Sequence, residues 1–358
     1  MEHKTDIIVL TWNKCEVTKA FFKSFFEKTK TPAHLIVIDN GSTDETVSFL
    51  ESLEPENGHT LTKIFNSENK GYIEGVNQGI ALSKAPYVCL ANNDLEFTEG
   101  WLGTVENLLD SEKDIGLLNP NSNNLGVKPT ENQTIEELKR DLQPRDAFKE
   151  MPFCIGFCMF IRRELIDRVG GLSTDYLPMY FDDTDYSMQA KQQGFRIGMA
   201  KQAYIFHAEH GSSDEKDPLY EEYFQRNKKK FEQKWGKTLR VGWVSNQETI
   251  DEKTILRAID LAREGNFVFL FTKEKNASES VFDRFSLTEH TGIQFVWYKN
   301  AFDLFWKVIK KKKKYDIIID SKGLLKWPAQ LRQSSAMKEL DSDLIREIKY
   351  KTQKEMTS

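Results

Sequence analysis

The sequence is poor in cysteine, in net positive charge and in long apolar runs, and each shortage removes a class of protein. Its four cysteines, Cys15, Cys89, Cys154 and Cys158, lie in or beside apolar stretches and show neither CxxC nor Cys/His metal spacing. That pattern excludes a disulfide framework and a zinc module, and leaves buried, reduced thiols in a cytoplasmic setting. A net charge of -5 over 358 residues argues against a protein that grips nucleic acid by bulk charge. The longest apolar run, Phe153 to Ile161, falls far short of the ~20 residues that span a bilayer. A strand begins almost at the first residue, which leaves no room for a signal peptide, so a soluble protein is expected. The length allows one large domain and a smaller one.

What is present is a repeated strand–helix rhythm in which the strands end in polar residues. Asp6 to Thr11 reads as a buried strand running into Trp12, Asn13 and Lys14, and a helix follows to Lys28. Phe21, Phe22, Phe25 and Phe26 form one apolar stripe on that helix, read as core packing rather than as a membrane-resting face. His34 to Ile38 is a second strand, ending in Asp39, Asn40, Gly41 and Ser42. Ser42 and Glu45 have capping-box spacing, which predicts a helix from there to about Leu53. Thr62 to Asn66 is a third strand. Asn69-Lys70-Gly71 leads into a helix carrying Asn77 and Gly79, and Tyr87 to Ala91 is a fourth strand. Strands and helices alternating in this way predict an α/β fold with a right-handed, mostly parallel sheet.

The fourth strand ends in Asn92, Asn93 and Asp94. One carboxylate beside two carboxamides suits a hard divalent cation that also holds a substrate phosphate, and strand carboxyl ends are where open α/β sheets bind ligands. An Asx-rich turn would use the same residues. Asn119 to Pro152 reads as a long excursion with one helix, Thr134 to Leu142. Phe153 to Ile161 is then a strand and Arg162 to Val169 a helix. A further helix opens at Asp182-Asp183-Thr184-Asp185 and ends before Gly194. A strand or two, Arg196 to Phe206, ends in His207. Tyr220 to Lys234 is a charged helix and Gly236 a hinge. The rhythm then restarts with strands at Leu239–Val244, Phe267–Thr272, Ile293–Tyr298 and Tyr315–Asp320, which predicts a small Rossmann-like unit. Lys310 to Lys314 reads as a solvated helix end, favourable against the helix dipole, rather than as a site for anionic lipid or nucleic acid. The expected divisions are residues 1–236, 237–330 and a charged helical tail at 331–358.

Seven stretches in order resemble the family 2 glycosyltransferases of the GT-A fold, especially the rhamnosyltransferase-like branch. They are IIVLTWN, VIDNGSTDET, NKGYIEGVNQG, LANNDLEF, GFCMFIRRELIDRVGGL, YFDDTDYSMQAKQQG and YIFH, between about Thr5 and Ser213. The resemblance implies that Thr11, Asn13, Asp39, Asn69, Gly71, Asn77, Asn92 and Asn93 bind the donor. It implies that Asp94 and His207 hold Mg2+ or Mn2+, with His210 a competitor for the second place. Asp183 aligns with the general base, and Asp182 replaces the usual Glu of the pair. The alternative for these carboxylates is simple decoration of a helix N-terminus.

The implied activity is inverting, metal-dependent transfer of a hexosyl or deoxyhexosyl group in polysaccharide assembly. The donor would be a dTDP-, UDP- or GDP-sugar. The acceptor would be a glycan or lipid-linked glycan, with work at the inner face of the membrane, no nucleic acid partner, and peripheral membrane association and a homodimer left open. A sugar-phosphate nucleotidyltransferase and a non-catalytic nucleotide-sugar binder are the other classes; TWNKCE is not the glycine- and Arg/Lys-rich loop that the first needs. The C-terminal stretch LRVGWVSNQETIDEKTILRAIDLA faintly resembles the start of a GT-B domain without its glycines, and reads as an accessory unit.

Overall fold

The strands of the first unit are apolar because both faces are covered. In the computed structural model, β1 (Thr5–Thr11) and β2 (His34–Asp39) are buried along almost their whole length, as expected of central parallel strands. Between them α1 (Cys15–Lys28) turns Phe21, Phe22, Phe25 and Phe26 inward. The phenylalanine stripe is therefore core. Next come α2 (Thr46–Ser52), β3 (Thr60–Phe65), α3 (Tyr72–Leu82) and β4 (Tyr87–Asn92), and every pairing among these four strands is parallel. The chain continues through β5 (Leu95–Phe97), α4 (Trp101–Ser111), β6 (Ile115–Ser122), α5 (Ile135–Asp141) and β7 (Phe148–Glu150). β8 (Cys158–Arg162), α6 (Arg163–Val169), α7 (Asp182–Gln192), β9 (Arg196–His207) and α8 (Pro218–Trp235) complete it.

The sheet runs β3-β2-β1-β4-β8-β6-β9-β5, with β7 attached to β9. β8 is antiparallel to both neighbours and β5 is antiparallel to β9. A mostly parallel sheet is what the resemblance implies. The structure describes residues 3–142, 146–209, 218–245, 247–320 and Lys349; His210 and, apart from Lys349, the expected 331–358 tail lie outside them. Contacts divide the chain into Met1–Lys149 with Phe153–Lys230, and Glu150–Pro152 with the described residues from Phe231 onward. The division thus falls within α8.

Three local expectations change. The helix expected from Ser42 starts at Thr46, and Glu45 at its cap makes no side-chain bond. The Ser42 hydroxyl instead accepts from Asn13 N at 2.7 Å. The excursion expected from Asn119 begins later, because Ile115–Ser122 is a fully buried strand parallel to β9. Its Asn-Pro-Asn-Ser end has turn composition, but the sheet pairs its backbone and overrides that local preference. The strand expected from Phe153 begins only at Cys158.

In the second unit β10 (Arg240–Val244), α9 (Glu252–Arg263), β11 (Phe267–Thr272), α10 (Glu279–Arg284), β12 (Ile293–Trp297), α11 (Ala301–Ile309) and β13 (Ile317–Ile319) follow one another. The sheet is parallel, in the order β12-β11-β10-β13. Asp251 caps α9 and Asn300 caps α11 by accepting from the third backbone N–H onward. Ile255, Ile259 and Ala262 of α9 pack one face with Val241 and Val268. Leu304 and Val308 of α11 pack the other face with Phe269 and Phe271. Helices on both faces make the unit Rossmann-like. Among the described residues no helix is long and apolar enough to cross a membrane.

The first core is centred on aromatic rings: Phe25 is fully buried and its ring stands edge-on to Phe97 at 5.3 Å. Phe25→Ala should therefore lower the stability of the N-terminal unit by about 3–5 kcal/mol, read as a fall in the urea midpoint at unchanged slope.

Candidate active site

A cleft of about 1290 Å³ opens where β1, β2, β4 and β9 end, and all of its lining belongs to the N-terminal unit. Thr11, Asn69, Gly71, Asn92, Asn93, Asp94, Asp182, Asp183 and His207 all line it. The topology brings these residues together because parallel strands deliver their carboxyl ends to one edge.

At the β1 and β2 tips the polar side chains fix the loops. Asn40, only 2% exposed, accepts from Lys70 N at 3.1 Å and donates to Asn69 Oδ1 at 2.8 Å and to Gly71 O at 3.2 Å. Asn69 Oδ1 also accepts from Gly71 N at 2.8 Å. Gly41, at φ +77°, admits the neighbouring loop: a Cβ there would stand 2.6 Å from the backbone carbon of Glu68. Lys14 and Lys70 lie on the same wall and give this region positive charge.

Three expected donor residues are placed elsewhere. Asp39 is buried behind the wall; Oδ2 accepts from Ser42 N at 2.9 Å and Oδ1 faces Thr11 Oγ1 at 3.4 Å. Asn13 accepts from Thr43 N at 2.8 Å and is not among the lining residues. Asn77 lies off the cleft, with its Nδ2 donating to Leu172 O at 2.8 Å and its Oδ1 accepting from Leu172 N at 2.9 Å. Both ends of the Asn77 carboxamide are thus engaged by the Leu172 backbone.

At the β4 tip Asp94 Oδ1 stands 3.0 Å from His207 Nε2. Asn92 Nδ2 lies 3.4 Å from that nitrogen, and Asn93 donates to Thr18 Oγ1 of α1 at 2.9 Å. Asn124 Nδ2 is 2.7 Å from His207 Nδ1, while Asn124 Oδ1 is buried without a hydrogen-bond partner. Turning the amide over would let Oδ1 accept from Nδ1–H and present the Nε2 lone pair beside the Asp94 carboxylate. An imidazole nitrogen and a carboxylate oxygen fit a divalent cation that takes its remaining ligands from phosphate and water. Among the described residues no group of three or more His, Cys, Asp or Glu side chains forms a closed metal cage.

Asp182 and Asp183 open α7 after two residues in left-handed backbone, Tyr180 (φ 72°) and Phe181 (φ 69°). Asn227 of α8 holds that arch by donating to Tyr176 O and Met179 O at 2.6 and 2.7 Å. Asp183 Oδ2 accepts from Gly156 N at 3.0 Å, and Oδ1 from Thr184 N and Thr184 Oγ1 at 2.6 and 3.0 Å. Burial raises the pKa of Asp183. Burial, and after it the charge of Asp183, push the Asp182 carboxyl up to about 7. The segment before β8 ties these parts together. Gly156 binds Asp183, Phe157 O accepts from Asn92 N at 2.9 Å, and the Phe157 ring stacks on His207 at 5.5 Å. Trp12, Ile155, Leu219 and Phe224, four of the exposed large apolar side chains, also face the cleft.

Sequence reasoning missed Asn40, Asn124, Gly156, Thr184 and the α8 side chains. Asn40 and Thr184 adjoin residues it chose. Gly156 opens the stretch GFCMFIRRELIDRVGGL, where the resemblance assigns it no role; Asn124 and the α8 side chains carry no motif, and their part is visible only in space.

A mostly parallel α/β sheet with a polar cleft at its strand ends, holding an Asp–His pair and paired aspartates, is the arrangement that the resemblance to the family 2 glycosyltransferases implies. Residues 6–170 match the family described as Glycosyl transferase family 2. Among solved structures the chain is similar to a mannosyltransferase, PcManGT from Pyrobaculum calidifontis, in complex with GDP-Man and Mn2+. The identity is 18% with a TM-score of 0.48, covering 62% of this chain and 61% of that one. It is similar to S. aureus TarS 1-349 in complex with UDP-GlcNAc, at 17% identity and a TM-score of 0.44, covering 59% and 62%. It is also similar to GalNAc-T7 with UDP, GalNAc and Mn2+, at 13% identity and a TM-score of 0.46, covering 57% and 44%. In each case the likeness spans less than two thirds of the other protein. No curated protein matches the sequence.

Two outcomes follow from this geometry. Asn77→Ala should lower stability by about 1–3 kcal/mol and leave nucleotide diphosphate affinity of the folded protein unchanged; lost affinity at unchanged stability would return Asn77 to the site. The second outcome concerns pH. Unfolded, Asp182 loses its proton near 3.8, whereas in the folded protein it keeps it to about 7. Stability is therefore lost as pH rises between these values. Asp182→Asn should raise Tm at about pH 8 and leave it nearly unchanged at about pH 3, measured by differential scanning calorimetry.

Proposed function

We propose that the N-terminal unit is an inverting glycosyltransferase. It would move a hexosyl or deoxyhexosyl group from a dTDP-, UDP- or GDP-sugar to a hydroxyl of a glycan or lipid-linked glycan. The observation that carries the reading is the Asp183 carboxylate, held by three donors and sharing one cleft with the Asp94–His207 pair. A carboxylate aimed by its hydrogen bonds, with its pKa raised by burial, is suited to take a proton from a hydroxyl. In the reaction Asp183 removes the acceptor proton as that oxygen attacks the anomeric carbon, and the nucleoside diphosphate leaves from the opposite face. Asp182, whose pKa burial raises to about 7, would stay largely protonated below that value and leave Asp183 as the ionised member of the pair.

Thr11, Asn69, Gly71, Asn92 and Asn93 line the donor region, and Lys14 and Lys70 attract its phosphates. Asp94 and His207 would hold Mg2+ or Mn2+, which when bound would stabilise the charge on the leaving diphosphate. Trp12 and Phe224, with Ile155 and Leu219, offer apolar surface to the face of a sugar ring. The volume of about 1290 Å³ exceeds the roughly 300–1,000 Å³ of a pocket for one small ligand and leaves space for an acceptor beside the donor. The C-terminal unit is accessory on this reading, and a lipid-linked acceptor places the work beside a membrane.

Donor turnover with and without Mn2+ or Mg2+ tests the proposal. Asp183→Asn should reduce turnover by about 10²- to 10⁴-fold while donor affinity stays similar, and Asp94→Ala should remove the metal response. Absence of turnover in the unaltered protein, with donor still bound, would favour the non-catalytic binder. A crippling Asp182→Asn beside a mild Asp183→Asn would transfer the base role to Asp182.

A further inference from the structure

One surface on the C-terminal unit has no part in the chemistry above. α11 buries Leu304 and Val308 in the core and turns Phe302 and Trp306, one helical turn apart, outward. They are 71% and 41% exposed, and Phe302 is the most exposed large apolar side chain among the described residues. Their rings lie 5.9 Å apart, and Phe305 stands 6.2 Å from Trp306. Immediately after the helix comes Lys310–Lys314, of which Lys310, Lys312, Lys313 and Lys314 are exposed. Between residues 299 and 314 there are seven lysines and a single acidic residue, Asp303. That aspartate is engaged by Lys307 at 3.2 Å. The Lys310 ammonium lies 4.9 Å from the Trp306 ring, so charge and aromatic surface form one patch. The patch is opposite in sign to the chain as a whole, whose net charge is -5.

A solvated helix end accounts for the lysines, through the helix dipole. It does not account for an adjacent pair of aromatic side chains left in water. A nucleic acid duplex would also satisfy the lysines, but its bases are stacked within and leave Phe302 without a partner. A bilayer carrying anionic phospholipid satisfies both: aromatic side chains enter the boundary between headgroups and acyl chains, and lysines stay at the phosphate level. We propose that α11 and Lys310–Lys314 form a docking surface for an anionic lipid bilayer. The inference stands on this unit alone and does not depend on the transferase reading.

The test is sedimentation of the full chain with vesicles of phosphatidylcholine alone or mixed with phosphatidylglycerol. The protein should pellet with the mixed vesicles, stay in solution with the neutral ones, and be released by high salt, since exposed charges are screened. Joint Phe302→Ser and Trp306→Ser substitution should weaken binding by about tenfold or more. Joint Lys310→Gln, Lys312→Gln and Lys313→Gln substitution should abolish it while donor affinity is unchanged. If the aromatic variant fails to fold, the lysine variant decides alone. Failure to pellet with mixed vesicles, equal pelleting with neutral vesicles, unchanged binding by a folded variant, or capture by duplex DNA in place of vesicles would each overturn the proposal.

Discussion

The buried carboxamide of Asn119 is the constraint on which the cleft depends. It is fully buried; its Oδ1 accepts from Ile155 N at 2.9 Å, and its Nδ2 donates to Ile155 O at 2.8 Å and Cys158 O at 2.5 Å. One side chain thereby satisfies both backbone groups of Ile155, which lies outside any strand, and the Cys158 carbonyl at the start of β8, and burial makes any unsatisfied group there costly. The segment so held, residues 155–157, reaches Asp183, Asn92 and His207. The paired aspartates and the Asp–His pair come from distant parts of the chain. Their common reference is this loop.

Around that loop the protein tolerates local arrangements that a core alone would reject. Asp182 is buried with its pKa raised by desolvation, and Tyr180 and Phe181 hold left-handed backbone without being glycine. Such conformations persist only where surrounding bonds over-determine them. Here Asn227 and Lys230 of α8 bond to the backbone of residues 175–179. The same helix presents Leu219 and Phe224 to the cleft. It is both a brace for the aspartates and part of the surface offered to a ligand.

The two units solve the same folding problem with different outcomes. The first is a mostly parallel sheet and the second a parallel one, both with helices on their faces, and both place helix caps where Asp, Asn or Thr precede an apolar stripe. The first has polar side chains at several strand tips, converging on a cleft. In the second, the notable chemistry of the described residues is on the outer face of α11. Fold similarity between the units therefore carries no functional similarity.

The sequence by itself determined the alternation of elements, the mostly parallel sheet, the inward phenylalanine stripe and the polar strand ends. These depend on hydrophobic periodicity and on polar residues at strand ends, both of which are local. Thr11, Asn69, Gly71, Asn92, Asn93, Asp94, Asp182, Asp183 and His207 were legible through the ordered stretches that resemble the family 2 glycosyltransferases. Only the tertiary structure decided that Asp39, Asn13 and Asn77 are already engaged by neighbouring backbone, since their partners lie between 3 and 95 residues away. It also decided that Asn119-Pro120-Asn121-Ser122 is strand, because pairing with β9 supplies what local composition does not. A carboxamide reads the same in sequence whether it faces a ligand or a carbonyl. Which of the two it meets depends on long-range packing, and that information is in the fold.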